Sequence, residues 1–398
     1  MLKAGTTLCL HCGHIFSKLY YYNSKNALWV TLNRTVTGKY YVEQFTNENS
    51  GNYNDALVFS DFKLSPRKNT FKKGLNEAIY VDFMNNGVQE KECLFKRCCP
   101  VCSVKGAVHE VFEGLGDLPT YVVAVIGTKS VGKSCWIHAL GCVENQNALA
   151  NYQYRIKSAR AESSNVANMS STLINRRGET ALLTISKRVG STFRDIVKVL
   201  MLDVAGELFS KDKKEEFLKS QAYTLFKGTD DYSGVDAVIF MDSADDNKAK
   251  KDVADITEVY NSVNGFKLLQ DKPVAYVLNK VDMLFENPPM TPVMGSDKKA
   301  PLFTADTFKN YGEDIYDKSK LMSRFCLEKM ILNSPNFRAI AESIFDDNPH
   351  SAGFLIKTVQ PYCEDEFGIN IRNDYTDSIN VMDPIIWILN ELDIFPIV

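Results

Sequence analysis

The apolar run Tyr121-Val122-Val123-Ala124-Val125-Ile126 leads straight into Gly127-Thr128-Lys129-Ser130-Val131-Gly132-Lys133-Ser134, and Cys135-Trp136-Ile137-His138-Ala139-Leu140 continues from it. This G-x-x-x-x-G-K-S pattern predicts a buried strand, a tight loop and a helix in immediate succession. Gly127 and Gly132 let the backbone turn sharply and approach a ligand with no Cβ in the way. The loop amides at Ser130, Val131 and Cys135, with the helix start, then point positive dipoles at one spot. Such a cradle suits phosphate oxygens, with Lys133 as a point charge on the outer phosphates and the Ser134 hydroxyl on Mg²⁺.

Downstream segments narrow the ligand. Leu200-Met201-Leu202-Asp203-Val204-Ala205-Gly206-Glu207 reads as a buried strand ending in D-x-x-G. Asp203 can hold magnesium through water, and Gly206 leaves its N–H free for a γ-phosphate. Lys272-Pro273-Val274-Ala275-Tyr276-Val277-Leu278 reads as another strand, ending in Asn279-Lys280-Val281-Asp282. The Asp282 carboxylate can accept from guanine N1–H and its exocyclic amine, whereas adenine would leave it unpaired. A site built on substrate N–H groups discriminates by ~10⁴-fold or more. This segment therefore argues against an ATPase or nucleotide kinase.

With these segments in order, each at a strand end, the chain resembles the P-loop GTPases of the Ras-like and translation-factor-like class from about Leu118 onward. The resemblance implies a doubly wound, mostly parallel α/β sheet over 118–398, with insertions at about 135–180 and 285–350. It implies a second switch at Asp203 and Gly206, a guanine site at Asn279, Lys280 and Asp282, and a fourth strand over 235–242. It also implies a first-switch threonine on Mg²⁺. Among Thr172, Thr180, Thr184 and Thr192, Thr180 fits best, because it precedes the strand-like run 181–186. For the last guanine-contacting loop, Ser351-Ala352-Gly353 precedes the strand-like run 353–359, so Thr358-Val359 is preferred. Asp383-Pro384 reads as an Asp cap and first-turn Pro opening an apolar closing helix. That helix and the D-x-A-G-E segment also resemble bacterial double-GTPase or conflict-system GTPases.

One departure bears on chemistry. Glu207 stands where many relatives carry the glutamine that orients the attacking water. A carboxylate donates no amide N–H and adds negative charge beside the γ-phosphate, so intrinsic hydrolysis is expected to be slow and to need a partner. The expectation is a GTPase switch that cycles between GTP and GDP with Mg²⁺ and signals to an effector or activating protein, with homodimerisation left open. The alternative is a hydrolysis-poor GTP-binding scaffold.

Residues 1–117 differ in character. Cys9-Leu10-His11-Cys12 and Cys99-Pro100-Val101-Cys102 are CxxC pairs that can give four thiolates to one tetrahedral Zn²⁺. His14 is the alternative to one cysteine. Strand-like runs at 27–32, 39–45, 56–59 and 78–83 lie between the pairs, which predicts a β-rich module inserted between the halves of a closed zinc site. Its tyrosines, such as those of Lys18-Leu19-Tyr20-Tyr21-Tyr22, look exposed, and protein is favoured over nucleic acid as what the module recognises.

The 398 residues, 45% hydrophobic and 24% charged, fit a soluble two-domain protein. The net charge of -3 gives no general pull toward nucleic acid or anionic lipid. No apolar run approaches the roughly 20 residues of a membrane span. Ten cysteines with paired CxxC spacing point to a reducing, cytoplasmic setting.

Overall fold

The computed structural model describes residues 1–10, 12–25, 27–34, 40–47, 61–64, 78–86, 88–103, 111, 114–127, 131–140, 153–160, 180–205, 215, 221–228, 232–243, 260–261, 263–264, 269, 271–281, 344, 348–358, 362–365, 368–371, 378 and 380–394. The chain divides into two compact units, one of Met1–Thr120 with Gly228–Tyr232, the other of Tyr121–Lys227 with Ser233–Val398. Among the described residues no helix is long and apolar enough to cross a membrane.

The first unit is β-rich. A short antiparallel ribbon pairs β1 (Thr7–Leu8) with β2 (Ile15–Phe16). A six-stranded antiparallel sheet follows, built from β3 (Leu19–Asn23), β4 (Leu28–Arg34), β5 (Tyr40–Asn47), β6 (Asp61–Leu64), β7 (Ala78–Asn85) and β8 (Val88–Arg97) in the order β5-β4-β3-β8-β7-β6. Alternation builds its core. Leu28, Val30 and Leu32 of β4 turn inward with Ile79, Val81 and Phe83 of β7 and Cys93 and Phe95 of β8. Strand β8 has weak apolar periodicity, because Glu92, Leu94 and Lys96 occupy its outward positions.

The tyrosines of β3 depart from the exposed reading. Tyr21 and Tyr22 are buried, since β3 is an interior strand between β4 and β8. Tyr21 lies opposite Val30 in the core, and Tyr22 packs on Trp29 with ring centroids 4.5 Å apart. The run 56–59 lies outside the described residues.

The second unit carries a seven-stranded mixed sheet. Its strands are β9 (Thr120–Gly127), β10 (Tyr154–Arg160), β11 (Thr180–Val189), β12 (Thr192–Ala205), β13 (Ala237–Ser243), β14 (Val274–Asn279) and β15 (Ser351–Leu355), in the order β10-β11-β12-β9-β13-β14-β15. The pairs β9–β13, β13–β14 and β14–β15 are parallel, while β10–β11 and β11–β12 are antiparallel. β9 is thus the strand from which the chain first builds one side of the sheet and then the other. A separate ribbon joins β16 (Tyr362–Asp365) and β17 (Gly368–Ile371).

The parallel strands are apolar along their whole length because both faces are covered. On one face, Val123, Val125, Ile239 and Val277 pack with Trp136 and Ile137 of α1 (Lys133–Ala139) and with Ile385, Trp387 and Leu389 of α3 (Asp383–Glu391). The Trp136 indole N–H donates to Val381 O at 2.8 Å, joining α1 to the start of α3. On the other face Phe240 meets Tyr260 edge-on at 5.5 Å. A further helix, α2 (Gln221–Lys227), buries Leu225 and Phe226.

The opening of α3 differs from the expected cap. Met382, with φ −84 and ψ −19, already has helical torsions and occupies the cap position without a side-chain bond. Asp383 therefore falls inside the first turn and is buried.

Candidate functional sites

The first site grows from two turns in the β-rich unit. The chain leaves β1 at Cys9, and Gly13, at φ +72, takes the left-handed conformation the turn requires. Gly13 N donates to Cys9 O at 2.9 Å and Cys9 N to His14 O at 2.8 Å, closing the turn. The second turn follows β8, with Ser103 N donating to Cys99 O at 3.2 Å. Together they bring Cys9 Sγ to 3.6 Å from Cys102 Sγ and Cys12 Sγ to 3.7 Å from Cys99 Sγ. All four sulfurs lie within 4.8 Å of one another. Sulfurs on a tetrahedral ion with bonds of ~2.3 Å are about 3.8 Å apart, so the four thiols are spaced to coordinate one metal ion such as zinc.

Each short contact joins one cysteine from each pair, so neither pair forms the site alone. Cys98 is buried outside the cluster, its N donating to Tyr20 O at 3.1 Å. His14 is exposed, stacks on Phe16 and is not among the clustered ligands. The hydrogen bond from Cys9 is the chief cause that lowers the Cys99 thiol to about 4, whereas burial pushes Cys102 up to about 12. Phe16, Tyr20 and Val111 pack against the cluster, in which Cys9 and Cys99 are buried and Cys12 and Cys102 half-buried.

Arg97 was not singled out from the sequence. It is buried at the end of β8, donates from Nη1 to Leu115 O at 2.9 Å and from Nη2 to Thr7 Oγ1, and its carbonyl accepts from Val111 N at 2.9 Å. It thereby ties the strand before Cys99 to the strand before Cys9. Gly116, at φ +98, leaves the room, since a Cβ there would crowd Thr7 Oγ1 at 2.9 Å. No sequence pattern marks this arginine as internal, since its partners Thr7 and Leu115 lie 90 and 18 positions away.

The second site lies at one edge of the mixed sheet, where β9, β13 and β14 end at Gly127, Ser243 and Asn279. Lys133 is buried, and its Nζ folds back to donate to Gly127 O at 2.7 Å. The same ammonium lies 3.9 Å from Asp203 Oδ1 near the end of β12. Ser134 Oγ donates to Asp203 Oδ2 at 2.9 Å. A cation, a hydroxyl and a buried carboxylate thus converge beside the loop.

Asn279 braces this loop from the next strand end. Its Nδ2 donates to Val131 O at 2.9 Å, while its Oδ1 accepts from Lys280 N at 2.8 Å and Thr358 N at 3.1 Å. It links the loop before α1 to the segment after β15. Gly132 sits beneath it at φ +96, and a Cβ there would come closer than 3.0 Å to the Asn279 amide. At Gly127 a Cβ would collide with Met241 O of β13. Lys280 itself has φ +60. Ser351-Ala352-Gly353 lies within β15, and Thr358, which follows that strand, is the residue that reaches Asn279.

Cys135 is buried on α1. Thr180 opens β11 opposite Leu202. Ser130, Gly206, Glu207, Asp282 and Val359 lie outside the described residues, as do most of the two expected insertions. Asp242 was not anticipated. It is buried at the end of β13, accepts from Tyr276 O–H at 3.0 Å and from Ser243 N at 2.8 Å. Burial, then the Asp242 charge, raises Tyr276 well above the ordinary phenol range, so the tyrosine stays a neutral donor.

No protein-family model matches the chain, and no curated protein matches it significantly.

Proposed function

We propose that the chain is a Mg²⁺-dependent GTP-binding and GTP-hydrolysing switch, a doubly wound P-loop GTPase domain joined to a zinc-stapled β-rich module. The observation that carries this reading is the contact of Lys133 and Ser134 with Asp203, at the edge where the strand order reverses around β9. In open sheets of this kind ligands bind outside the carboxyl ends of the strands at such a point. The bridge from Asn279 to Val131 and Thr358 supports a base pocket beside the phosphate loop. Magnesium, when bound, would neutralise phosphate charge, with Ser134 and Asp203 as the chain's own groups on that side. Lys133 exchanges the Gly127 carbonyl for phosphate oxygen, and Gly127 and Gly132 keep the loop backbone close to it. A closed, four-cysteine zinc in the first unit has no open position and serves structure.

Calorimetry with GTP, GDP and ATP tests the reading. Guanine nucleotides should bind, ATP should not, and Lys133→Ala should abolish binding. Equal affinity for ATP and GTP would sink the base assignment. Asp282→Asn should shift preference toward xanthine nucleotides, because the amide matches a keto group where guanine has an amine. Glu207 favours a second reading, a binding scaffold that hydrolyses negligibly. Phosphate release under multiple turnover separates the two, since rates identical to Lys133→Ala mean no catalysis at this site.

A further inference from the structure

The hairpin of β11 and β12 is flanked by β10 as far as Lys187, Arg188 N still donates to Gln153 O at 2.8 Å, and the closing end Val189–Thr192 extends past β10. From Lys187 to Asp195 every residue is exposed. A two-residue turn at Gly190-Ser191 closes it, with Gly190 at φ +61 and Val189 paired to Thr192. β10 supports its base on one side, with Tyr154 opposite Lys187 and Arg155 opposite Ser186.

The charge of this ribbon is one-sided. Lys187, Arg188 and Arg194 on the ribbon, with Arg155 and Lys157 on the flanking β10, stand against Asp195, whereas the chain as a whole is at -3. Asp195 is already engaged, accepting from Ser186 Oγ at 2.6 Å and pairing with Lys157 at 3.2 Å, and these bonds hold its carboxyl below the usual range. Among the described residues no carboxylate lies within ion-pair distance of Lys187, Arg188 or Arg194. Lys187 and Arg194 stand directly opposite each other in register. Like charges so placed destabilise a free hairpin.

Both faces are cationic. Lys187 and Arg194 share one face with Tyr154, where Lys187 Nζ lies 5.6 Å from the ring centroid. The other carries Arg188 beside Phe193, with the Arg155 guanidinium stacked 4.7 Å from the Phe193 ring centroid. A flat acidic surface would engage one of these faces. An anion with two walls engages both.

We infer that this ribbon is a duplex DNA-binding element, seated by its tip in a B-form major groove with phosphates on either side. That groove is about 12 Å wide and admits a two-stranded β-ribbon. Lys187, Arg188 and Arg194 contact phosphates, and the polyanion relieves the Lys187–Arg194 repulsion. The contacts are to backbone, so affinity is salt-dependent and sequence-tolerant.

The test is fluorescence anisotropy of a labelled DNA duplex of about 20 base pairs with the full chain, without added nucleotide, over a salt series. Its outcome is independent of the GTPase reading. Binding should weaken with salt at a logarithmic slope near −3 for three phosphate contacts. Lys187→Ala and Arg194→Ala should each lower affinity roughly tenfold at low salt and reduce the slope by about one. Each should leave the melting temperature of the free protein unchanged or raise it, because each removes the like-charge pair. Duplex RNA, whose major groove is deep and narrow, should bind more weakly. Absence of duplex binding, unchanged affinity in both variants, or equal binding of duplex RNA, single-stranded DNA or poly-glutamate would overturn the assignment.

Discussion

A methyl group at position 132 is the smallest change that would disrupt the contact of Asn279 with the loop before α1. Gly132→Ala must place a Cβ against the Asn279 amide while holding φ at +96. The backbone term alone costs about 1–2 kcal/mol. Losing the Asn279 brace adds to it, so the variant should fold with a lower melting temperature and show no GTP binding by calorimetry. Asp383 gives a residue-scale prediction in pH. Burial alone raises its carboxyl to about 8. The folded state therefore keeps a proton that the unfolded chain releases near pH 4, and stability falls as pH rises from about 4 to about 8. Asp383→Asn should flatten that decline and raise the melting temperature above pH 8. Unfolding curves of both proteins across this range check it. At this scale the sequence was legible where a residue type carries its own chemistry, as with the four cysteines that the fold brings within 4.8 Å of one another. It was not legible where a residue serves through its neighbours. The bonds of Asn279 to Val131 and Thr358 join segments far apart in sequence, and Arg97 is internal through partners that are also distant in sequence.

Among elements, the parallel strands were the most legible, because burial on both faces leaves an uninterrupted apolar run. β8 was the least, since its outward Glu92 and Lys96 read as a solvated segment until β3 and β7 flank it. The tyrosines of β3 read as exposed in the sequence and are buried in the fold for the related reason that interior position is a property of the sheet, not of the strand. The two CxxC turns are elements in the same sense, and the metal prediction belongs to them. The purified protein should contain about one zinc per chain. Cys9→Ser or Cys99→Ser should remove it. Arg97→Met should retain the cysteines yet lose zinc to a chelator at lower concentration, because Thr7 and Leu115 O lose the group that ties the turns together. An unchanged chelator midpoint would limit Arg97 to packing.

At the scale of the whole molecule, the compact units predict separable responses. In differential scanning calorimetry a chelator should lower only the transition of the unit containing Cys9 and Cys99, by a large margin, since structural zinc contributes on the order of 10 kcal/mol. GTP with Mg²⁺ should raise only the transition of the unit containing Lys133, following mass action. A single transition that moves with both additives would show that the units unfold together. In the sequence a change in character near residue 117 reads as a boundary, and the first compact unit comprises Met1–Thr120 with Gly228–Tyr232. The lengths between motifs gave no comparable guide, because insertions obey no period that a sequence reader can use.

The pairing of Cys9 with Cys102 and of Cys12 with Cys99 spans 93 and 87 positions. In a chain that emerges from the ribosome amino end first, the first turn waits half-liganded through the synthesis of β3 to β8. Closing so long a loop costs about 4 kcal/mol of chain entropy. Sheet formation lowers that cost by carrying the second turn to the first. Zinc would then arrive as a final latch, and the cell's free zinc would govern how long the newborn module stays open to proteases.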